Sequence, residues 1–369
     1  MINVGYIHQG YPERRNIIDV HHAQLKHMKC FDVYKIADYL NFKLKSNTSL
    51  FYHNSFNDRW CKNKPDIFHF FNMVNYGKSN WVSTFETMLP RYENGDTHFS
   101  IAIQAMAKKN CNQLIAMSDF NFNMQKEFLL NEFPKQASDI LSKTIVLFPP
   151  QKSLVNACFK HELGNRLKVL FVGHDFFRKG GRELYKAIET LNSKGADIHL
   201  TIVSKVDTDA FITKTTAHDK QEWKRKISES EFCTYFESKP NHEVMSMMKE
   251  HHVFAVPSLQ ETFGYVVLEA QACATPVLTT SIRAFPEINN NDCGFVVDIP
   301  QDTRGVANVQ KHGYGEISEL LTNGIIKQLN TALDQIDIIQ SKGEKALERI
   351  QVAHSPATYA DKLWKIYSN

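Results

Sequence analysis

The chain of 369 residues is long enough for two domains of ordinary size. A hydrophobic fraction of 43%, a charged fraction of 22% and a net charge of +3 suit a soluble globular protein and are too mild to argue for nucleic-acid binding. No apolar run reaches the roughly eighteen residues of a membrane span, and seven cysteines at scattered spacings point to reduced thiols in a cytoplasmic protein. The first residues read as a β-strand over 2–7, without the basic start and cleavage site of a signal peptide. Residues 14–29 mix basic and apolar side chains and read as an ordinary surface helix, with docking on anionic lipid as the other reading. Their histidines lack the spacing of a zinc site. Further strands are expected at 67–71, 81–85, 114–117 and 145–148. Pro149-Pro150 then breaks the pattern as a linker would. A second series follows at 167–172, 198–203, 234–237, 253–256, 276–279 and 294–297. Strands alternating with helical stretches mark an α/β protein with parallel sheets.

Two stretches carry chemistry. Glu261 to Glu269 holds two carboxylates around Phe263-Gly264, after an apolar strand and Pro257-Ser258 and before a helix-like run. A helix that starts there turns its first N–H groups and positive end toward an anion. The carboxylates suit hydroxyl-rich parts of the same ligand, so a nucleotide sugar fits. The second stretch runs from Gly173 through His174 to Arg178 and Lys179. A glycine at the end of a parallel strand lets backbone approach a ligand. Lys179 then places a point charge on a diphosphate, with Arg178 as a second cation.

The residues Pro257-Ser258, Glu261-Thr262-Phe263-Gly264, Glu269-Ala270 and Thr275-Pro276-Val277-Leu278 together resemble the E-x7-E signature of the family 4 retaining glycosyltransferases. The resemblance implies the GT-B fold, α/β with two Rossmann-like domains facing each other across a cleft. Residues 1–150 would bind the acceptor and 151–355 the nucleotide sugar, with a last helix at about 356–369 packing back on the first domain. Glu261 would contact the transferred sugar and Glu269 the ribose. Gly173, His174, Arg178, Lys179 and the segment Thr262, Phe263, Gly264 and Tyr265 would hold the rest of the donor. His174 stands where relatives often carry Arg. Gly10 and Tyr11 occupy the place of an acceptor-side loop. Glu86 stands where the family usually carries a His that touches the donor sugar. Either its carboxylate takes that role and steadies positive charge at the anomeric carbon, or it is a loop residue facing the cleft. The expected catalytic set is Glu261, Lys179 and Glu86. Residues 235–243 resemble the segment beside the nucleotide base, and Pro286-Glu287 a structural brace. Asp207-Thr208-Asp209 is read as loop, with no metal and no cofactor beyond the substrate.

The expected function is therefore a retaining, metal-independent glycosyltransferase. It would use a nucleoside-diphosphate sugar, UDP-sugar favoured, and a glycan or lipid-linked acceptor in bacterial O-antigen, capsule or lipopolysaccharide biosynthesis. Its expected place is the cytoplasm, including peripheral contact with the inner face of the membrane. Two alternatives stay open: a catalytically silent sugar-nucleotide-binding subunit, and a GT-B-type sugar-nucleotide epimerase. The second needs an acid and a base that the sequence does not display.

Overall fold

The computed structural model describes residues 1–32, 36, 50–61, 63–92, 95–158, 166–335 and 337–368. They fall into two compact units, Met1–Pro150 with His354–Asn369, and Gln151–Ala353.

In the first unit the chain lays down β1 (Ile2–Tyr6), β2 (Leu25–Lys29), β3 (Ser55–Phe56), β4 (Ile67–Phe71), β5 (Val74–Asn75), β6 (Trp81–Phe85), β7 (Cys111–Ala116) and β8 (Thr144–Val146). Six of these form a sheet ordered β2-β1-β4-β6-β7-β8, all parallel, and β3 pairs with β5 alone. Every residue of β4 and β6 is buried, the polar His69, Ser83 and Thr84 included, as expected where helices cover both faces of a parallel sheet. Alternate side chains then sort to opposite faces. Phe68, Phe70, Trp81 and Phe85 join one core cluster, while Val4, Ile67, Val82 and Ile115 join another. The second cluster is completed by Tyr359, Leu363 and Tyr367 of the helix Pro356–Ser368. His69, fully buried on β4, meets the Tyr367 hydroxyl at 2.5 Å and the Thr84 hydroxyl at 2.8 Å.

Residues 14–29 are not a surface helix. Arg14–Ile18 forms a short π-helical turn, and Leu25–Lys29 is a strand paired with β1 from Ile2↔Leu25 to Tyr6↔Lys29. The open edge of the sheet supplies backbone partners that outweigh the weak helical pattern. Lys26 and Lys29 are exposed on that edge, where charge discourages pairing with another chain.

The second unit contains β9 (Leu167–Val172), β10 (Ile198–Val203), β11 (Cys233–Phe236), β12 (Val253–Val256), β13 (Val277–Thr280) and β14 (Gly294–Val297). Their order is β11-β10-β9-β12-β13-β14, again all parallel. The chain moves outward from β9 to β11 and then returns to lay β12 against the other side of β9. The loops leaving β9 and β12 therefore diverge at a topological switch point, where doubly wound sheets bind ligands. After β10, both acids of the Asp207–Asp209 stretch have local partners. Asp207 pairs with Lys220 at 2.6 Å, and Asp209 accepts from the amides of Phe211, Ile212 and Thr213 at 3.2, 3.0 and 2.7 Å. Among the described residues no helix is long and apolar enough to cross a membrane.

Candidate active site

The loops after β9 and β12 are built to touch. The first ends at Gly180, the N-cap of helix Gly181–Ser193, in the left-handed region at φ 73°. A Cβ at Gly180 would lie 2.2 Å from the Pro257 carbonyl oxygen, so glycine is required by both backbone angle and space. The Leu259 amide donates to the Arg178 carbonyl at 2.9 Å, which stitches the loops together. Lys179 and Glu261, 82 positions apart in sequence, consequently meet in an ion pair at the carboxyl edge of the sheet. Their side chains are 16% and 18% exposed, so the pair is largely shielded yet reachable. Gly173 supports the lysine stem: a Cβ there would lie 2.4 Å from Lys179 Cδ.

The other residues expected on the donor side stand on the same two loops and on the helix that follows the second. The Thr262 amide donates to Glu261 Oε1 at 3.2 Å. Gly264, at φ 92°, caps the helix Tyr265–Ala272. Phe263 is buried, and Tyr265 and Glu269 are half-buried on that helix, Glu269 one turn further along. Arg178 forms an ion pair with Asp175 in its own loop, so the second cation is already partly neutralised. The His174 side chain is exposed, and its carbonyl accepts from the Ser204 hydroxyl at 3.3 Å.

Behind the Lys179 loop lies a buried network with no counterpart in the sequence reading. Glu183, fully buried in the first turn of helix Gly181–Ser193, accepts from the hydroxyls of Tyr314 and Ser318, the latter at 2.7 Å. Arg182 donates to the Tyr314 hydroxyl at 3.1 Å and lies 3.6 Å from Glu183. Burial and the adjacent Glu183 charge both raise the Tyr314 pKa, keeping the phenol protonated as a donor. This network pins the helix Gly181–Ser193, capped by Gly180, to Val309–Asp334.

The first unit has its own cavity of about 490 Å³, lined in part by Gln9, Gly10, His53, Asn72, Glu86 and Arg91. The loops after β1, β4 and β6 all reach it, again at carboxyl ends of parallel strands. Glu86 pairs with Arg91 at 2.6 Å and its amide donates to Asn72 Oδ1 at 3.2 Å. Asn72 sits at φ 58°, a conformation asparagine tolerates better than most residues. Glu86 and Gly10 thus come together, while Tyr11 lies outside the lining and its hydroxyl accepts from Arg15 at 2.6 Å. Asn72 and Arg91 belong to no motif; only the fold reveals them.

Comparison with known proteins bears on the fold. The chain has the GT-B fold of glycosyltransferases: it is similar to a glycosyltransferase from Rickettsia africae, with a TM-score of 0.60 and 14% identity over 99% of this chain and 97% of the other. Anabaena HepE, solved in complex with UDP, matches with a TM-score of 0.60 and 12% identity over 100% of both chains. More narrowly, residues 158–311, which contain both switch-point loops, match the family model for glycosyl transferases group 1. The capsular polysaccharide biosynthesis glycosyltransferase CapM of Staphylococcus aureus is 26% identical over 144 residues, 37% of this chain. That match spans about a third, 34%, of the length of CapM.

Proposed function

We propose that the chain is a retaining glycosyltransferase that moves a sugar from a UDP-sugar to a glycan or lipid-linked acceptor in bacterial surface-polysaccharide assembly. The observation that carries this reading is the meeting of Lys179 and Glu261 at the switch point of the second unit. The GT-B fold, the group 1 match over that half, the UDP complex of HepE and the printed role of CapM support it.

In this reading the diphosphate takes Lys179 away from Glu261. The ammonium then balances charge on the departing phosphate, aided by the amides and positive end of helix Tyr265–Ala272. The released Glu261 carboxylate accepts hydrogen bonds from the sugar hydroxyls, and Glu269 from the ribose. The acceptor oxygen bonds to the anomeric carbon on the face that the phosphate leaves. The carbon–phosphate-oxygen bond breaks, and the acceptor proton passes to that phosphate oxygen. No protein base is required, and no metal. The polar cavity at Gly10 and Glu86 serves the acceptor, with Glu86 oriented by Arg91 and Asn72 rather than acting as a free carboxylate.

A thermal-shift screen with UDP, GDP and their sugars, followed by a transfer assay on the best donor, tests the proposal. Binding with turnover supports it. Stabilisation by UDP-sugar without hydrolysis or transfer to any glycan acceptor would favour the silent-binder alternative.

A further inference from the structure

Arg283 lies just beyond β13 in a left-handed conformation, φ 42°. A non-glycine residue with a large side chain rarely holds such a φ unless its surroundings compel it. Here they do. The guanidinium Nη1 donates to the Glu261 carbonyl at 2.9 Å, and Nε donates to the Arg304 carbonyl at 3.0 Å. The Arg283 amide also donates to the Gly305 carbonyl at 3.2 Å. One residue therefore ties the loop carrying Glu261 to the 302–306 loop.

That second loop is a rigid anchor. Asp302 accepts from the amides of Arg304 and Val306 at 2.9 and 3.2 Å and pairs with the Arg304 guanidinium at 2.8 Å. Its own amide donates to the Val306 carbonyl at 2.9 Å. The next residue, Ala307, donates to the Leu259 carbonyl at 2.9 Å, and the Thr280 hydroxyl holds the Ser258 carbonyl at 2.6 Å. Backbone on the amino-terminal side of Glu261 is thus fixed from two directions. Arg283 supplies the fixation at Glu261 itself.

We propose that Arg283 is the positioning residue of Glu261, its planar fork bracing the glutamate's main chain so that the carboxylate stays in register with Lys179. This deepens the donor-site reading above and rests on it for its catalytic consequence. The fork geometry matters: a lysine keeps the charge but cannot reach two carbonyls with fixed N–H directions. Glycine at the position relieves the backbone strain while deleting the brace. A brace that serves only stability predicts a lower thermal midpoint for Arg283→Gly, whereas a positioning brace predicts a loosened Glu261 segment with the midpoint kept.

The test compares wild type, Arg283→Gly and Arg283→Lys by hydrogen exchange without ligand, by thermal midpoint, and by affinity for UDP and for UDP-glucose. The expected result for Arg283→Gly is at least tenfold faster exchange at residues 261–265, with β13 unchanged and the midpoint equal or higher. UDP affinity should stay within twofold, while any extra affinity for UDP-glucose over UDP is lost. Arg283→Lys should resemble Arg283→Gly in exchange. Unaltered exchange at 261–265 in both variants would overturn the brace and leave the donor reading standing. Faster exchange in both variants, beside a wild type that binds neither UDP nor UDP-glucose, would support the brace and overturn the donor reading.

Discussion

Lys179 and Glu261 form an ion pair although each stands on a different loop of the second unit. The pair answers both charges on its own, so in the proposed function a diphosphate competes with Glu261 for the ammonium. Removing the carboxylate should therefore separate binding from turnover. Glu261→Ala is expected to leave UDP affinity equal or stronger while lowering kcat at least 100-fold, on the scale of losing one electrostatic contact to the reacting group. Calorimetry with UDP and steady-state transfer rates check this.

Gly173 offers an indirect route to the same lysine. Its added Cβ would fall 2.4 Å from Lys179 Cδ, so Gly173→Ala should push the stem off its path. UDP affinity is expected to drop about tenfold, or about 1.4 kcal/mol, with little change in thermal midpoint. A stability loss with unchanged affinity would contradict the supporting role of Gly173.

Gly180 differs because its neighbour is backbone. An alanine there must hold φ near 73° and displace the Pro257 carbonyl, which lies 2.2 Å from the new Cβ. The variant should lose about 2 kcal/mol or more of stability, read as a lower urea midpoint.

Glu183 makes the strongest stability prediction. Glu183→Ala strips the half-buried Tyr314 hydroxyl and the buried Ser318 hydroxyl of their acceptor and removes the carboxylate beside Arg182. Breaking one partner out of a buried charged network costs about 3 kcal/mol. Glu183→Gln, which keeps an acceptor oxygen, should recover part of that loss.

Acid sensitivity should trace to His69. Burial, with a smaller contribution from His27, pushes its pKa down to about 3 in the fold, against 6.5 when exposed. The folded state holds His69 neutral, so protonation favours the unfolded chain. Stability is fully present above pH 6.5 and falls as pH drops toward 3, by about 2 kcal/mol between pH 6.5 and 5. His251, lowered chiefly by burial, adds in the same direction. Urea titrations at pH 7 and 5 should show a smaller difference for His69→Gln than for wild type.

Much of this was legible in the residues. Largely apolar runs such as Ile67–Phe71 and Leu167–Val172 read as strands, and their bounds match. Cys233–Phe236 and Val277–Thr280 differ from expectation by one residue, the scale on which strand ends are set by neighbours. Leu25–Lys29 escapes the pattern because an edge strand has little apolar alternation to show. In the site, short spacings carried the information: Glu261 to Glu269, and Gly173 to Lys179. What spacing cannot carry is contact between distant segments. Arg283 on the Glu261 carbonyl, Arg91 and Asn72 on Glu86, and Tyr314 on Glu183 each depend on the finished fold.

The central claim is that Lys179 and Glu261 together form a sugar-nucleotide site, and the most direct measurement is transfer of sugar by Lys179→Ala and Glu261→Ala beside wild type. With the donor found in the thermal-shift screen, each variant is predicted to lose at least 100-fold in kcat/KM, with weaker UDP binding only in Lys179→Ala. Full transfer activity in both variants would contradict the account.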